Sequence, residues 1–277
     1  MKRRPVAALL AIALPLCLSN PAQALPLAPH PVLPPATQGV VFDEFDGPAG
    51  SLPSPALWGY DLGPYQDAGL QTYTNAPENV RLDGQGHLVI QARRTPSGYT
   101  SARPMTRAKL DMRYGTVAAR IKFPAGQGIW PAFWMLGSDV TDVGWPRSGE
   151  IDIMEIVNTG TAYHVTLHGP QGDTDYFGGV ESSGQVVGTS GPIADLTTDF
   201  HTFWVNWRPN AITIGVDEAT LGVFTPSSLP PGAEWVFDRP MYALLNIAVG
   251  GPWPGPPDAS TQFPATMLVD WFRYTPN

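Results

Sequence analysis

Glycine and proline interrupt this chain so often that long helices have little room. The sequence has 31 prolines and 29 glycines in 277 residues, and no long stretch shows the apolar period of a helix. Between these breakers lie short runs rich in β-branched and aromatic residues, a spacing typical of an all-β sandwich or barrel. The predicted strands include residues 80–82, 87–92, 116–123, 132–136, 163–168, 200–207, 211–216, 242–249 and 267–274.

The first 24 residues have the features of a secretory signal peptide. Three basic residues precede an apolar stretch over residues 6–18, and an Ala-x-Ala cleavage sequence ends at Ala24. The segment 25–38 is rich in proline, and we interpret it as a linker. Residues 39–277 have an even composition without a second linker or a repeat, which predicts one folded domain.

The charge of the chain argues against nucleic acid or an anionic membrane as a partner. The net charge is −8, and removal of the three basic residues of the signal peptide would bring it to −11. The one cysteine, Cys17, lies within the signal peptide, so we expect no disulfide in the mature chain. We expect a monomer, secreted or associated with the cell wall, that acts on a neutral polymer. The pair Arg3-Arg4 leaves both the general and the twin-arginine export routes open.

Three acidic residues, Glu150, Asp152 and Glu155, alternate with apolar residues in one predicted strand. Side chains of a strand alternate between its faces, so Glu150 and Asp152 share a face about 6.6 Å apart along the backbone. Glu155 points the other way unless a β-bulge near Ile153 and Met154 returns it. Carboxyls crowded on one face raise the pKa of at least one of them. This arrangement suits hydrolysis of a glycosidic bond by paired carboxylates, and the alternative is a strand with a solvated acidic face.

Several aromatic residues are candidates for sugar binding or for the core. An indole held between glycine and proline can stack on the apolar face of a sugar ring, although most tryptophans pack inside proteins. The tryptophans in such contexts are Trp130, Trp145 and Trp253. Those that alternate with apolar neighbours in predicted strands, and are expected in the core, are Trp204, Trp207 and Trp271.

The histidine positions and the absence of two known motifs argue against two classes of enzyme. His168 can donate a hydrogen bond to a sugar or a carboxylate, and a structural role explains it equally well. His164 and His168 lie four residues apart on one strand, about 13 Å, which is too far to hold one metal ion. The chain has no His-Glu-x-x-His and no Gly-x-Ser-x-Gly, so a zinc enzyme and a serine esterase are not expected.

The segment from Glu150 to Glu155 resembles the E-x-D-x-x-E signature of glycoside hydrolase family 16. The form with two residues before the last acid is that of bacterial laminarinases, which are endo-β-1,3-glucanases. The resemblance continues in ordered blocks through most of the chain, and it marks residues 39–277 as a family 16 catalytic domain. These blocks are residues 42–47, 77–82, 99–103, 126–134, 166–170, 199–203, 245–251 and 267–270.

The resemblance implies a concanavalin A-like β-jelly roll, in which two curved antiparallel sheets form a concave substrate cleft. It implies internal cleavage of β-1,3-glucan with retention of configuration, by double displacement and without a catalytic cofactor. Glu150 matches the nucleophile of the family and Glu155 its acid/base. Asp152 matches the residue between them, which tunes the nucleophile. Retention requires carboxyl groups only about 5–5.5 Å apart.

The resemblance also implies binding residues. Those that match the wall of the cleft are Trp130, Trp134, Trp145, Arg103, His168 and Asn246, with weaker matches at Trp253 and Asn75. A structural calcium is implied by matches at Glu44 and Asp270, which would bind it together with backbone carbonyls.

Substrate specificity stays open at this point, because Arg147 and the loop 169–188 depart from the family pattern. Mixed-linkage β-glucan, galactan or agar, and transglycosylation are alternatives within the same fold. A non-catalytic, lectin-like module is an alternative of a different class.

Overall fold

The computed structural model describes residues 39–64, 69–172 and 185–277. The predicted signal peptide and linker, 1–24 and 25–38, lie outside the described residues. The described part of the chain is built almost entirely from strands. They are β1 (Val41–Asp43), β2 (Gly59–Tyr60), β3 (Gly63–Pro64), β4 (Gln71–Tyr73), β5 (Val80–Leu82), β6 (Leu88–Thr95), β7 (Gly98–Ser101), β8 (Pro104–Met105), β9 (Gly115–Lys122), β10 (Ile129–Gly137), β11 (Glu150–Glu155), β12 (Ala162–His168), β13 (Gln185–Pro192), β14 (His201–Arg208), β15 (Ala211–Val216), β16 (Ala219–Phe224), β17 (Met241–Val249) and β18 (Ala265–Thr275).

These strands form two sheets. The eleven-stranded sheet has the order β16-β15-β14-β9-β18-β6-β7-β4-β3, with β1 paired to β18 and β5 paired to β6. The seven-stranded sheet has the order β13-β12-β11-β10-β17-β8-β2. Neighbouring strands are antiparallel except β4 and β7, which are parallel. The predicted all-β architecture of two antiparallel sheets is confirmed.

Helical structure is short. The α-helix of the described residues, α1 (Val140–Val143), follows β10, and a 3-10 turn (Pro226–Ser228) follows β16. No helix of the described chain combines the length and the apolar character that a membrane crossing requires.

The apolar core lies between the two sheets, and β14 shows how it is filled. Phe203, Val205 and Trp207 are fully buried, which confirms the prediction for Trp207. The prediction was wrong for Trp204, which is half-buried on the opposite face of the strand. Its indole lies over Gly215, where a Cβ would come within 2.2 Å of the ring. A missing side chain on the neighbouring strand therefore makes room for Trp204 outside the core.

The prediction was also wrong for Trp271, and a register shift explains why. Met267 and Val269 on β18 are fully buried. The pairing of β18 with β9 shifts between Val269 and Trp271, which reverses the alternation, so that Phe272 enters the core and Trp271 is half-buried. Sequence alternation cannot reveal a bulge when both faces of a strand carry large apolar residues.

Candidate active site

A β-bulge in β11 brings the three acids to one face. Asp152 lies opposite Trp134 on β10 and Met154 lies opposite Phe133, so Ile153 has no partner in this pairing. The pairing with β12 shifts at the same place, between Asp152 and Glu155. The predicted bulge is confirmed.

The extra residue puts apolar and acidic side chains on opposite sides of the sheet. Ile153 and Met154 are consecutive, yet both are fully buried in the core. Glu150, Asp152 and Glu155 instead line a cleft on the other face of the seven-stranded sheet, with a volume of about 1010 Å³. The cleft is lined by five adjacent strands of that sheet, β13, β12, β11, β10 and β17.

Most of the residues predicted to bind substrate lie in this cleft. Its lining includes Arg103, Trp130, Trp134, Trp145, His168, Asn246 and Trp253. Asn75 is not among the described residues that line it. Asn75 is exposed just beyond the end of β4, whereas Tyr73, two residues earlier, is buried beneath the cleft wall.

Glu150 is held at one end of β11. The indole nitrogen of Trp145 donates a hydrogen bond of 2.9 Å to Oε2 of Glu150. Oε1 lies 3.8 Å from Nε2 of His168, which is the residue directly opposite on β12. Trp145 also packs against the ring of His168, at 5.8 Å between centroids. Glu150 is thus positioned by a donor from the loop before β11 and by a neighbour on β12.

Glu155 is held in a similar way at the other end of β11. The indole nitrogen of Trp130 donates a hydrogen bond of 2.9 Å to Oε1 of Glu155. Ala132 lies opposite Glu155 on β10, so Trp130, two residues earlier, is on the same face of the sheet. Glu155 is only 7% exposed, and Asp152, between the two glutamates, is 3% exposed.

Asp152 forms an ion pair with His168, at 2.9 Å between Oδ2 and Nε2. Burial alone would lower the pKa of His168, but the charges of Asp152 and Glu150 and the hydrogen bond to Asp152 raise it from 6.5 to about 10. Glu150, Asp152 and His168 are also a possible metal-ligand group, with ligand atoms within 4.8 Å of one another. A protonated imidazole has no lone pair for a metal ion, so the group is better described as a charge cluster.

Burial and mutual repulsion shift both glutamates towards the neutral form. Burial and the charge of Asp152 raise the pKa of Glu150 from 4.5 to about 8, against the opposing effects of His168, Trp145 and Arg103. Burial and the charges of Asp152 and Glu150 raise the pKa of Glu155 well above its ordinary value. Both shifts have the direction that crowded, buried carboxyls are expected to show.

A buried polar network forms one wall of the cleft. The guanidinium of Arg103, 3% exposed, lies 4.3 Å from the ring centre of Tyr73 and 5.4 Å from that of Trp134. The hydroxyl of Tyr73 accepts hydrogen bonds from Arg103 at 3.1 Å and from Asn246 at 3.3 Å. The indole of Trp134 donates to Oδ1 of Asn246 at 2.7 Å. This network fixes the orientation of the Asn246 amide, because each of its two ends has a defined partner.

Residues that the sequence did not assign to the site also face the cleft. His164 lies opposite Glu155 on β12, and its ring is nearly perpendicular to that of Trp253, at 4.8 Å between centroids. Burial lowers the pKa of His164, so it is neutral at neutral pH. Asp61 is at the cleft mouth, where it pairs with Arg103 at 3.3 Å. His164 shares the face of His168 by strand alternation, a signal that could have identified it.

The predicted calcium ligands show a mixed fit. Oδ2 of Asp270 accepts a hydrogen bond of 2.6 Å from Arg120, so this carboxylate is already paired with a cation and does not fit a metal ligand. The backbone oxygen of Glu44 and Oδ1 of Asp46 both lie near Gly86, at 3.7 Å and 3.9 Å from the position that its Cβ would take.

Comparisons with known proteins agree with this site. A family model, Glycosyl hydrolases family 16, matches residues 69–273. The beta-glucanase of Rhodothermus marinus is 38% identical over 245 residues, which cover 83% of this chain and 82% of the relative. The keratan-sulfate endo-1,4-beta-galactosidase of Sphingobacterium multivorum is 32% identical over 206 residues, or 72% of this chain and 46% of the relative.

A solved structure of a relative has the same fold as this chain. The laminarinase catalytic domain of Thermotoga maritima superposes with a TM-score of 0.75 at 36% identity, covering 86% of this chain and 97% of that domain. This likeness confirms the predicted β-jelly roll. Together with the family match and the carboxyl cluster in the cleft, it shows that the chain is a glycoside hydrolase and belongs to glycosyl hydrolases family 16.

Proposed function

We propose that this protein is an endo-acting β-1,3-glucanase that cleaves laminarin-type polysaccharide with retention of configuration. The observation that carries the proposal is the bulged strand, which places Glu150 and Glu155 on one cleft face with Asp152 between them. Relatives named beta-glucanase and laminarinase support the substrate class. The aromatic wall suits the apolar faces of sugar rings, and a polymer can extend along a cleft of this volume.

The mechanism follows from the contacts of each carboxyl. Glu150 attacks the anomeric carbon as the sugar–oxygen bond breaks, while Glu155 gives its proton to the departing oxygen. A covalent glycosyl-enzyme forms on Glu150. Glu155, now ionised, takes a proton from a water molecule, which attacks the same carbon and releases Glu150. Both steps invert the anomeric carbon, so the overall configuration is retained.

The charge cluster explains why the two glutamates take different roles. Each glutamate accepts one indole N–H, but Oε1 of Glu150 also lies 3.8 Å from the protonated His168, which stabilises the ionised form of Glu150 further. Glu155 lies opposite a neutral His164 and gains no comparable cation from that neighbour. Glu150 therefore loses its proton first, and Glu155 remains the acid.

A sulfated galactan is the second candidate substrate, because of the similarity to a keratan-sulfate endo-galactosidase. The charges in the cleft favour the neutral glucan. Arg103 is paired with Asp61, and His168 is paired with Asp152, so the two cations of the described cleft are already matched to carboxylates. A sulfate group would also meet the three acids of β11.

The proposal is tested by incubating the protein with laminarin, lichenan, agarose and keratan sulfate and measuring product size. We expect internal cleavage of laminarin and a first-formed product of β configuration by NMR. Glu150→Gln and Glu155→Gln should fold and lose this activity. Equal or greater activity on a galactan would refute the substrate assignment, and activity retained by both variants would refute the site.

We also propose that residues 1–24 direct secretion and that the mature chain is a monomer that begins at Leu25. Support comes from the basic, apolar and Ala-x-Ala order of this segment. Edman sequencing of protein from the medium, with light scattering, is the test. An uncleaved N-terminus, or a stable dimer, would contradict it.

A calcium ion is proposed in a narrower form than the sequence predicted. Calcium prefers oxygen ligands, and the backbone oxygen of Glu44 and Oδ1 of Asp46 both lie within 4 Å of the Cβ position of Gly86, whereas the Asp270 carboxylate is bound to Arg120. A bound ion would stabilise the fold without entering the reaction. We expect a chelator to lower the melting temperature, and an unchanged value with no calcium in the purified protein would remove the proposal.

A further inference from the structure

Two tryptophans of the cleft contact the reacting carboxyls through their N–H groups. Trp145 donates to Oε2 of Glu150 and Trp130 donates to Oε1 of Glu155, each at 2.9 Å. These indoles were predicted from sequence as stacking surfaces for sugar. The structure shows that each also has a polar end, and that this end is directed at a carboxyl group.

The two donors are positioned independently of each other. Trp130 is part of β10 and reaches Glu155 diagonally from the neighbouring strand. Trp145 comes from the segment between α1 and β11, and its ring packs against His168. Trp130 contacts the edge of Trp253 at 5.1 Å. Each donor is therefore held by its own aromatic neighbour, at opposite ends of β11.

We propose that Trp145 and Trp130 are positioning residues that each set the protonation of one carboxyl, Glu150 and Glu155 respectively. A hydrogen bond from N–H stabilises an ionised carboxylate more than a neutral carboxyl. Trp145 thus favours the ionised nucleophile, and Trp130 lowers the pH above which the acid is lost. This inference rests on the roles assigned to the two glutamates in the proposed function.

The same bonds select which oxygen carries the proton. Because a carboxyl has one proton on one oxygen, a donor on Oε1 of Glu155 favours protonation at Oε2. Trp130 therefore directs the acidic proton to the oxygen that it does not contact. Trp145 likewise donates to Oε2 of Glu150, so Oε1 is the oxygen of Glu150 that the indole does not contact.

Other charged groups also act on these carboxyls. Glu150 faces Asp152, His168 and Arg103. Glu155 is influenced by the same Asp152 and His168 and by Glu150, and His164 lies opposite it on β12. Because the Trp145 ring packs against His168, only a replacement that keeps the ring and removes the N–H reports the indole bond alone.

The test is the pH dependence of kcat/KM for laminarin. In Trp145→Phe we expect the lower midpoint to rise by roughly one pH unit while the upper midpoint stays. In Trp130→Phe we expect the upper midpoint to rise by roughly one pH unit while the lower midpoint stays. Trp145→Phe therefore narrows the pH range in which the enzyme is active, and Trp130→Phe widens it.

Trp134→Phe is the matched control. Trp134 lines the same cleft, but its indole donates to Asn246 rather than to a carboxyl. We expect this variant to raise KM without moving either midpoint. Replacing Trp130 or Trp145 by benzothienylalanine, which has sulfur in place of N–H, keeps the shape of the ring and should reproduce the shifts of the Phe variants.

The outcomes separate this inference from the proposed function. Midpoints that stay at wild-type values in the Phe and benzothienylalanine forms would overturn the inference. Crossed shifts, in which Trp145→Phe moves the upper midpoint and Trp130→Phe the lower one, would support tuning by the indoles. They would also show that the roles of Glu150 and Glu155 are exchanged.

Discussion

Burial of the Glu150 carboxylate lowers the stability of the folded protein, and substitution of Glu150 should raise it. The pKa of Glu150 is raised from 4.5 to about 8, so between these values the folded protein binds more protons than the unfolded chain. The free energy of unfolding therefore falls as the pH rises through this window. Glu150→Gln removes the charge that burial disfavours and keeps an oxygen that can accept the Trp145 N–H.

The size of the effect follows from the pKa shift. The full shift corresponds to about 3 kcal/mol at pH 7 and to about 5 kcal/mol above pH 8. The attraction to protonated His168, which lies 3.8 Å away, is already included in this shift. We therefore expect a gain of about 3 kcal/mol at pH 7, or roughly 6–12 °C in Tm for a domain of this size.

Thermal unfolding followed by circular dichroism from pH 4 to pH 9 is the assay. The difference in Tm between Glu150→Gln and wild type should be near zero at pH 4.5 and should grow until about pH 8. Glu78→Gln is the matched control, because Glu78 is exposed. A Glu150→Gln difference that is independent of pH, or that has the opposite sign, would refute the reasoning.

Three further predictions test the strand and the packing behind it. Deleting Ile153 restores an even spacing between Asp152 and Glu155, so we expect all three acids to stay in the cleft and laminarin hydrolysis to remain measurable. The exchange Met154→Glu with Glu155→Met places the acid in the core instead, and should abolish hydrolysis and lower the Tm. Equal activity of these two variants would contradict the bulge. Gly137→Ala places a Cβ 2.1 Å from the carbonyl oxygen of Ser148 and should cost about 1–3 kcal/mol in denaturant unfolding, whereas Gly59→Ala, whose nearest contact is 3.9 Å, should cost less.

The sequence predicted the positions of the three acids because strand alternation, a local property of the backbone, determines which face each one takes. Strand alternation assigned Glu150 and Asp152 to one face, and the odd offset of Glu155 required a bulge, which the structure confirms at Ile153. The all-β fold followed from the many short β-type runs between glycines and prolines. These inferences need only the backbone period and the polarity of each residue.

Contacts between distant segments were harder to predict. The N–H bonds of Trp130 and Trp145 depend on how β10 and a loop pack beside β11, so the sequence suggested only stacking for both. His164 shares the face of His168 by strand periodicity, but its position opposite Glu155 depends on the bulged pairing of β11 with β12. Trp271 left the core because of a register shift that no local pattern marks.

Glu150 and Glu155 are proposed to divide the two chemical roles of a retaining hydrolase. This division is tested by trapping the intermediate with a laminaribiosyl fluoride that carries fluorine at C2 and locating the label by peptide mass spectrometry. We expect a covalent glycosyl group on Glu150. A label on Glu155, or inactivation without any covalent label together with an α-configured first product, would contradict it.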